Sequence, residues 1–307
     1  MKRTAFVMVN HNGGEEVLES ARSLLADLAD EDLLILVDNG SEDGSGERVL
    51  EKLPRVHFIT HPENRTFAEA TNIGIRAAME KGATYIGLIN PDVRILRGMT
   101  RTLRQKLELR QGTTDYAVSP LMLYDTPRNR IWYAGGRIHW LFGWMSHRGW
   151  GCSLERAHRY TGATEYLTGC CWLTHRDVWQ KVGLLDESYG MYAEDADWSV
   201  RAIRKGIELH VVPTAILVHR LSQSSGGGRN PFKMTYRTLA TRLFFERYTP
   251  VWLKPVQKQV TWIIQQAYSL FLLQRNGEES MKAYRQACRK SLEERIPWPP
   301  SRPIETN

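Results

Sequence analysis

Leu33-Leu34-Ile35-Leu36-Val37-Asp38-Asn39-Gly40-Ser41 is an unbroken apolar run that stops at a polar turn. With no position alternating toward water, it reads as a strand buried on both faces. Similar runs stand on either side. Residues 4–9 are strand-like and lead through Asn10 into the turn His11-Asn12-Gly13-Gly14. Residues 56–59 and 85–89 are two more strands, the second ending in Asn90-Pro91-Asp92. Between them the apolar spacing turns helical: Val17, Leu18, Ala21, Leu24, Leu25 and Leu28 share one face of a helix over 15–28. Residues 47–53 and 67–81 read as helices as well. Such alternation predicts an α/β fold, a parallel sheet covered on both sides. Ligands in these sheets bind beyond the carboxyl ends of the strands. Asn10, Asp38 and Asp92 occupy those ends, so polar groups gather where a ligand is expected.

Beyond a helix over 99–110 the pattern changes. Residues 125–165 are rich in glycine and aromatics, including Trp132, Tyr133, Trp140, Trp144 and Trp150, without clean periodicity, which predicts irregular or short antiparallel structure. A strand is expected over 168–174, a short helix over 177–182, and a helix over 195–205 closed by Gly206. Residues 208–212 and 215–218 are strand-like around Pro213 and lead to His219. The Ser/Gly segment 222–228 reads as a mobile loop, and helices are expected over 234–247, 253–273 and 280–294. This divides the chain into a main domain, 1–230, and a helical C-terminal region, 231–307.

The chain has 307 residues, 42% apolar and 24% charged, enough for one large domain with an appendage. Its net charge of +7 is unevenly placed: residues 231–307 hold 13 Lys/Arg against 6 Glu, and the other 230 balance at 28 against 28. A neutral main domain offers no basic stripe, which argues against a nucleic-acid binder. Cys170 and Cys171 are adjacent, without the Cys-x-x-Cys spacing of a metal site, and the four cysteines read as reduced thiols of a cytoplasmic protein. No signal peptide is evident, and the best candidate for a membrane span, 260–273, is short and broken by Gln265 and Gln266.

Tyr192-Ala193-Glu194-Asp195-Ala196-Asp197-Trp198 gathers three carboxylates at a helix start. Two readings stand: the acidic first turn of a surface helix, favoured by the helix dipole, or a general base with neighbours that raise its pKa. Asp38 could accept from a nucleotide's ribose or base, or could serve the turn alone. Arg65, or backbone N–H groups of the 61–66 loop, could meet a diphosphate. Asn90-Pro91-Asp92 suits Mg²⁺ or Mn²⁺ but is also a good turn. His219 reads as a structural histidine unless the fold brings it to Asp92.

Taken in order, these pieces resemble family 2 glycosyltransferases of GT-A fold, particularly the rhamnosyltransferase-like branch that builds bacterial surface polysaccharides. The resemblance covers residues 4–225. It rests on Val9-Asn10-His11-Asn12, Val37-Asp38-Asn39-Gly40-Ser41, Asn64 through Asn72-Ile73-Gly74, Asn90-Pro91-Asp92-Val93, Gly183-Leu184-Leu185-Asp186-Glu187, Glu194-Asp195-Ala196-Asp197 and His219. It implies that Asn10, Asp38, Asn39, Asn64, Arg65, Asn72 and Asn90 serve the nucleotide-sugar donor. It further implies that Asp92 and His219 hold Mg²⁺ or Mn²⁺, and that Asp195 is the base of an inverting transfer with Glu194 and Asp197 as acidic neighbours. The implied donor is dTDP-rhamnose, with a UDP-sugar as the alternative, and the implied acceptor is a saccharide or lipid-linked hydroxyl. Three positions depart from the family pattern: Asn90 removes one metal-binding charge, Thr66 stands where glycine is common, and Cys170-Cys171 replace Gly-Ala.

Three further readings stay open. The aromatic stretch 132–150 could face the acceptor or pack on the main domain. The basic, aromatic tail from Pro231 could lie on an anionic membrane, cap the core or form a homodimer contact. A non-catalytic sugar-nucleotide-binding scaffold is the rival to an enzyme. A nucleotidyltransferase is disfavoured because Asn12-Gly13-Gly14-Glu15 lacks the basic residue of a phosphate loop.

Overall fold

A computed structural model describes residues 2–109, 115–220, 231–290 and 296. The expected alternation is present as β1 (Thr4–Asn10), α1 (Gly14–Leu25), β2 (Leu33–Asn39), α2 (Ser45–Lys52), β3 (Val56–His61), α3 (Phe67–Glu80) and β4 (Tyr85–Ile89). These strands pair in parallel, β4 and β2 flanking β1, and β3 beyond β2. Successive residues of a strand point to opposite faces, and both faces are buried. Phe6, Met8, Leu34 and Leu36 join a core with Val17, Leu18 and Leu24 of α1. Ala5, Val7, Ile35 and Val37 join a second core with Ala68, Ala70 and Ile75 of α3. This explains why the strands are apolar without interruption.

Helix α3 begins with a capping box, Thr66 Oγ1 accepting from Glu69 N at 3.1 Å and Thr66 N donating to Glu69 Oε2 at 3.0 Å. The threonine found where glycine is common thus satisfies helix donors that would otherwise be orphaned.

The chain continues through β5 (Val93–Ile95), α4 (Met99–Glu108), β6 (Tyr116–Tyr124), β7 (Ile131–Tyr133), β8 (Gly136–His139), β9 (Trp144–His147), β10 (Gly162–Ala163), β11 (Cys171–His175), α5 (Arg176–Val182), α6 (Glu194–Arg204) and β12 (Glu208–His219). The large sheet runs β10-β12-β6-β11-β4-β1-β2-β3, with β5 on β12 and β7 on β6. Strand β11 is antiparallel to both neighbours, β4 and β6, so the sheet is mostly rather than wholly parallel. The reversal sets the start of β11 beside the carboxyl end of β4, where Asn90 N donates to Cys170 O at 2.8 Å. Central strand β6 has no counterpart among the sequence expectations. It contains Pro120, which cannot donate to a ladder, and Pro120 pairs with Val212 just where the β12 register shifts. Across that irregularity β12 is one strand where two segments were expected. The aromatic region forms short antiparallel pairs, as anticipated, β8 with β9 and β7 with β6.

Two helices follow, α7 (Pro231–Tyr248) and α8 (Lys254–Arg289). Helix α7 buries Tyr236, Leu239, Phe244 and Phe245 in the same core as Phe6. The helical span of α8 turns back on itself, in keeping with the two helices expected over 253–273 and 280–294. Ser269 Oγ accepts from Arg285 at 3.2 Å and the rings of Tyr268 and Tyr284 lie 5.1 Å apart, positions that a straight helix would hold about 24 Å apart. The 222–228 loop expected to be mobile lies outside the described residues.

Candidate active site at the carboxyl edge of the sheet

The first corner of the site joins the ends of β1 and β2. Asn10 and Asp38 are register partners, and Asn10 Nδ2 donates to Asp38 Oδ1 at 2.8 Å, Ser45 Oγ at 2.8 Å and Ser41 Oγ at 3.0 Å. Ser41 Oγ donates to Asp38 Oδ1 at 2.6 Å. The Asp38 carboxylate also lies against Gly46 in the first turn of α2, where a Cβ would collide with it. Both side chains are buried, so they organise the corner from beneath. Its rim is formed by exposed His11, Asn12 and Arg65. Asn39 clamps the third loop: its Nδ2 donates to Arg65 O at 2.8 Å and Asn64 Oδ1 at 3.1 Å, and its Oδ1 accepts from Arg65 N at 3.0 Å. Asn72 does not belong to this group. It is buried on α3, with its carboxamide spent on Leu185 O at 3.0 Å, Glu187 Oε1 at 2.9 Å and Leu185 N at 3.0 Å. It anchors the segment that leads to the acidic cluster.

The second corner resolves the question left by His219. Strands β12 and β5 pair antiparallel with His219 opposite Val93, which delivers the imidazole to Asp92. His219 Nε2 lies 3.2 Å from Asp92 Oδ2, and Arg220 N donates to Asp92 O at 2.9 Å. The ring packs edge-on against Trp132, centroids 4.2 Å apart, and Trp132 meets His147 in the same way at 4.6 Å. Burial pushes His147 down to about 4, with Arg237 acting in the same direction, so that ring is neutral at neutral pH. Part of the aromatic stretch therefore packs behind His219. His219 Nδ1 is buried without a hydrogen-bond partner among the described residues, leaving Nε2 as the nitrogen engaged with Asp92.

Two charged neighbours of Asp92 escaped the sequence reading. Glu16 of α1 has its carboxyl raised by burial first and by the Asp92 charge next. Lys233 of α7 has its ammonium lowered by burial while Asp92 acts to raise it. Neither carries a local signal: each reaches the site only because α1 and α7 pack where they do. Among the described residues no group of three His, Cys, Asp or Glu could hold a metal ion by itself. One carboxylate plus one imidazole fits a divalent cation whose other positions are filled by phosphate and water.

The third corner is the acidic cluster at the start of α6. Tyr192 and Ala193 both have left-handed backbone, φ 74° and 65°. Each costs about 1–3 kcal/mol in a residue other than glycine, a strain typical of functional sites. Asp195 Oδ2 accepts from Gly169 N at 2.7 Å and Oδ1 from Ala196 N at 2.7 Å. Gly169 directly precedes the Cys170 that bonds Asn90, so Asp195 stands at the same edge as Asp92. Burial raises the Asp195 carboxyl, against the lowering effect of those backbone bonds. Glu194 is buried with Oε2 unpartnered, and burial, then Asp195 and Asp197, pushes it well above the ordinary range. Asp197 differs. It accepts from Tyr248 at 2.6 Å, Tyr189 at 3.3 Å and Arg201 Nε at 2.7 Å, and Arg201 also donates to Val182 O and Leu184 O. Through Tyr248 it ties α6 to α7.

Comparison with known proteins bears on this arrangement. The family model described as Glycosyl transferase family 2 matches residues 5–183. The chain belongs to that family. It is 22% identical over 218 residues to the dTDP-rhamnosyl transferase RfbF of Shigella flexneri, covering 68% of this chain and 67% of the relative. It is 28% identical over 238 residues to the N-acetylglucosaminyl-diphospho-decaprenol L-rhamnosyltransferase of Mycobacterium tuberculosis, covering 68% and 75%. These similarities group it with the rhamnosyltransferase-like glycosyltransferases. Among solved structures, GalNAc-T7 with UDP, GalNAc and Mn²⁺ matches at TM-score 0.61 and 14% identity, over 90% of this chain and 58% of that one. The mannosyltransferase PcManGT from Pyrobaculum calidifontis, in complex with GDP-Man and Mn²⁺, matches at TM-score 0.58 and 15% identity, over 95% and 77%. At such identities the likeness establishes the GT-A fold, as the sequence led one to expect. Within this glycosyltransferase, Asn10, Asp38 and Asp92 lie inside the family match, whereas Glu194, Asp195 and His219 lie beyond it.

Proposed function

We propose that this glycosyltransferase moves rhamnose from dTDP-rhamnose, with inversion, to a hydroxyl of a saccharide or lipid-linked acceptor in surface polysaccharide synthesis. One observation carries the reading: Asp92 and His219, distant in sequence, meet at 3.2 Å on the strand edge where Asp195 is held by Gly169 N at 2.7 Å. Support for the sugar comes from the activities of the two relatives, dTDP-rhamnosyl transferase and L-rhamnosyltransferase.

In this reading the nucleotide lies over the Asn10–Asp38 corner and is contacted by its rim, and the diphosphate extends toward Asp92. A divalent cation, Mg²⁺ or Mn²⁺ as the two solved neighbours carry Mn²⁺, would be held by Asp92 and His219 and would supply Lewis-acid charge to the departing diphosphate. Lys233 adds positive charge at the same place. Asp195 accepts the acceptor hydroxyl's proton as that oxygen forms its bond to the anomeric carbon. The bond to the diphosphate oxygen breaks on the opposite face, so the configuration inverts. Glu194, kept neutral by burial, leaves Asp195 as the carboxylate that ionises.

The test is a panel of dTDP-, UDP- and GDP-sugars with and without Mn²⁺, read by thermal shift and by NMR of the glycoside formed. Stabilisation by dTDP-rhamnose and a product of inverted anomeric configuration are expected. A retained configuration, or binding of every donor without turnover on any acceptor, would defeat the proposal; the second outcome favours the scaffold alternative.

A further inference from the structure

The first half of α8, residues 254–273, leaves most of its apolar side chains exposed. Gln257 Nε2 donates to Trp140 O at 2.7 Å and Thr249 Oγ1 at 2.9 Å, and Thr261 Oγ1 donates to Phe142 O at 3.3 Å, which seats this half on the main domain. Leu272 is fully buried, and Ser269, 1% exposed, accepts from Arg285 of the returning half at 3.2 Å. The outward side of the first half is apolar: Trp262 and Ile263 are each 61% exposed, Leu270 56%, Leu273 44% and Ile264 41%. Just before it, Trp252 is 78% exposed. The hydrogen bond from Thr261 also seats the loop after β8 beside the helix, and that loop adds Phe142 and Trp144, 44% and 53% exposed. A surface helix normally turns such residues inward, and a contiguous apolar patch of this kind marks a contact surface.

We infer that α8 and the 141–144 loop form a docking surface for an anionic lipid bilayer, the helix lying in the interface plane. Charge selects this partner. Residues 231–307 carry 13 Lys/Arg against 6 Glu, the whole net excess of the chain. A second copy would bring the same basic region against itself, whereas anionic headgroups complement it. Trp side chains suit the headgroup boundary, where an apolar ring and a polar N–H are both accommodated. No helix among the described residues is long and apolar enough to cross a membrane, so the contact is peripheral. The inference rests on the exposure and charge of the C-terminal region and is independent of the catalytic reading.

The test is co-sedimentation of the full chain with vesicles of phosphatidylcholine alone and of phosphatidylcholine mixed with phosphatidylglycerol, at low and high salt. Binding is expected to the mixed vesicles and to weaken with salt. The double variant Trp262→Ser, Ile263→Ser alters exposed positions, so its thermal midpoint should be unchanged while its partitioning falls at least about tenfold. Absence of binding, binding equal on both vesicle types, or full binding by the double variant would overturn the inference. So would a stable dimer in sedimentation velocity that the double variant dissociates, since the patch would then belong to a second copy.

Discussion

Glu194, Asp195 and Asp197 share one helical turn and meet three different environments. Their spacing placed all three in the candidate site but could not separate them, because the separation comes from remote partners: Gly169 for Asp195, Tyr248 and Arg201 for Asp197, and no partner for Glu194 Oε2. The difference is measurable through stability. The folded chain holds the Glu194 proton at pH values where the unfolded chain, titrating near 4.5, has released it. The unfolded state then binds fewer protons, so this group's contribution to stability is complete below 4.5 and is lost as pH rises toward the elevated folded value. Glu194→Gln removes that titration. Relative to the parent, the variant should gain stability as pH rises through this window, by at most about 1.4 kcal/mol per pH unit, read from urea midpoints across pH. A stability difference constant with pH would show that Glu194 is ionised in the folded chain.

Elements with regular patterning were readable in advance, and those set by neighbours were not. The apolar runs of β1, β2 and β4 declared a sheet buried on both faces. Strand β6 was hidden by Pro120, tolerable only because the β12 register slips at that point, and the reversal of β11 is a property of pairing rather than of its own residues. The exposed apolar side chains of α8 likewise follow from what the helix packs on and not from its own spacing. Gly74 shows how packing overrides propensity. Alanine in a helix interior is favoured over glycine by about 1 kcal/mol, yet a Cβ at Gly74 would strike Val7 Cγ1 and crowd Val37. Both neighbours are β-branched, with little rotamer freedom to yield. Gly74→Ala should therefore lower stability by about 1–2 kcal/mol net of the propensity gain, measured by urea unfolding. An increase in stability would mean that α3 can lift from the sheet without cost.

At the scale of the whole molecule, the sheet is a device for assembling distant residues at one edge. The order of motifs along the chain was legible, and with it the family and the fold. The meeting of Asp92 with His219 was implied by the family resemblance but was not legible in residue spacing, because it crosses 127 positions and depends on β5 pairing with β12. Nor were the charges that α1 and α7 bring to that corner, Glu16 and Lys233. In the proposed reading the edge carries two separable functions: donor binding at the Asp38 and Asp92 corners, and proton removal at Asp195. Asp195→Asn tests that separation most directly, with kcat for transfer and donor affinity measured on the same preparation. Loss of turnover on the order of 10²- to 10⁴-fold with unchanged donor affinity is the predicted result. Turnover near the parent's, or donor binding lost in parallel with activity, would contradict it.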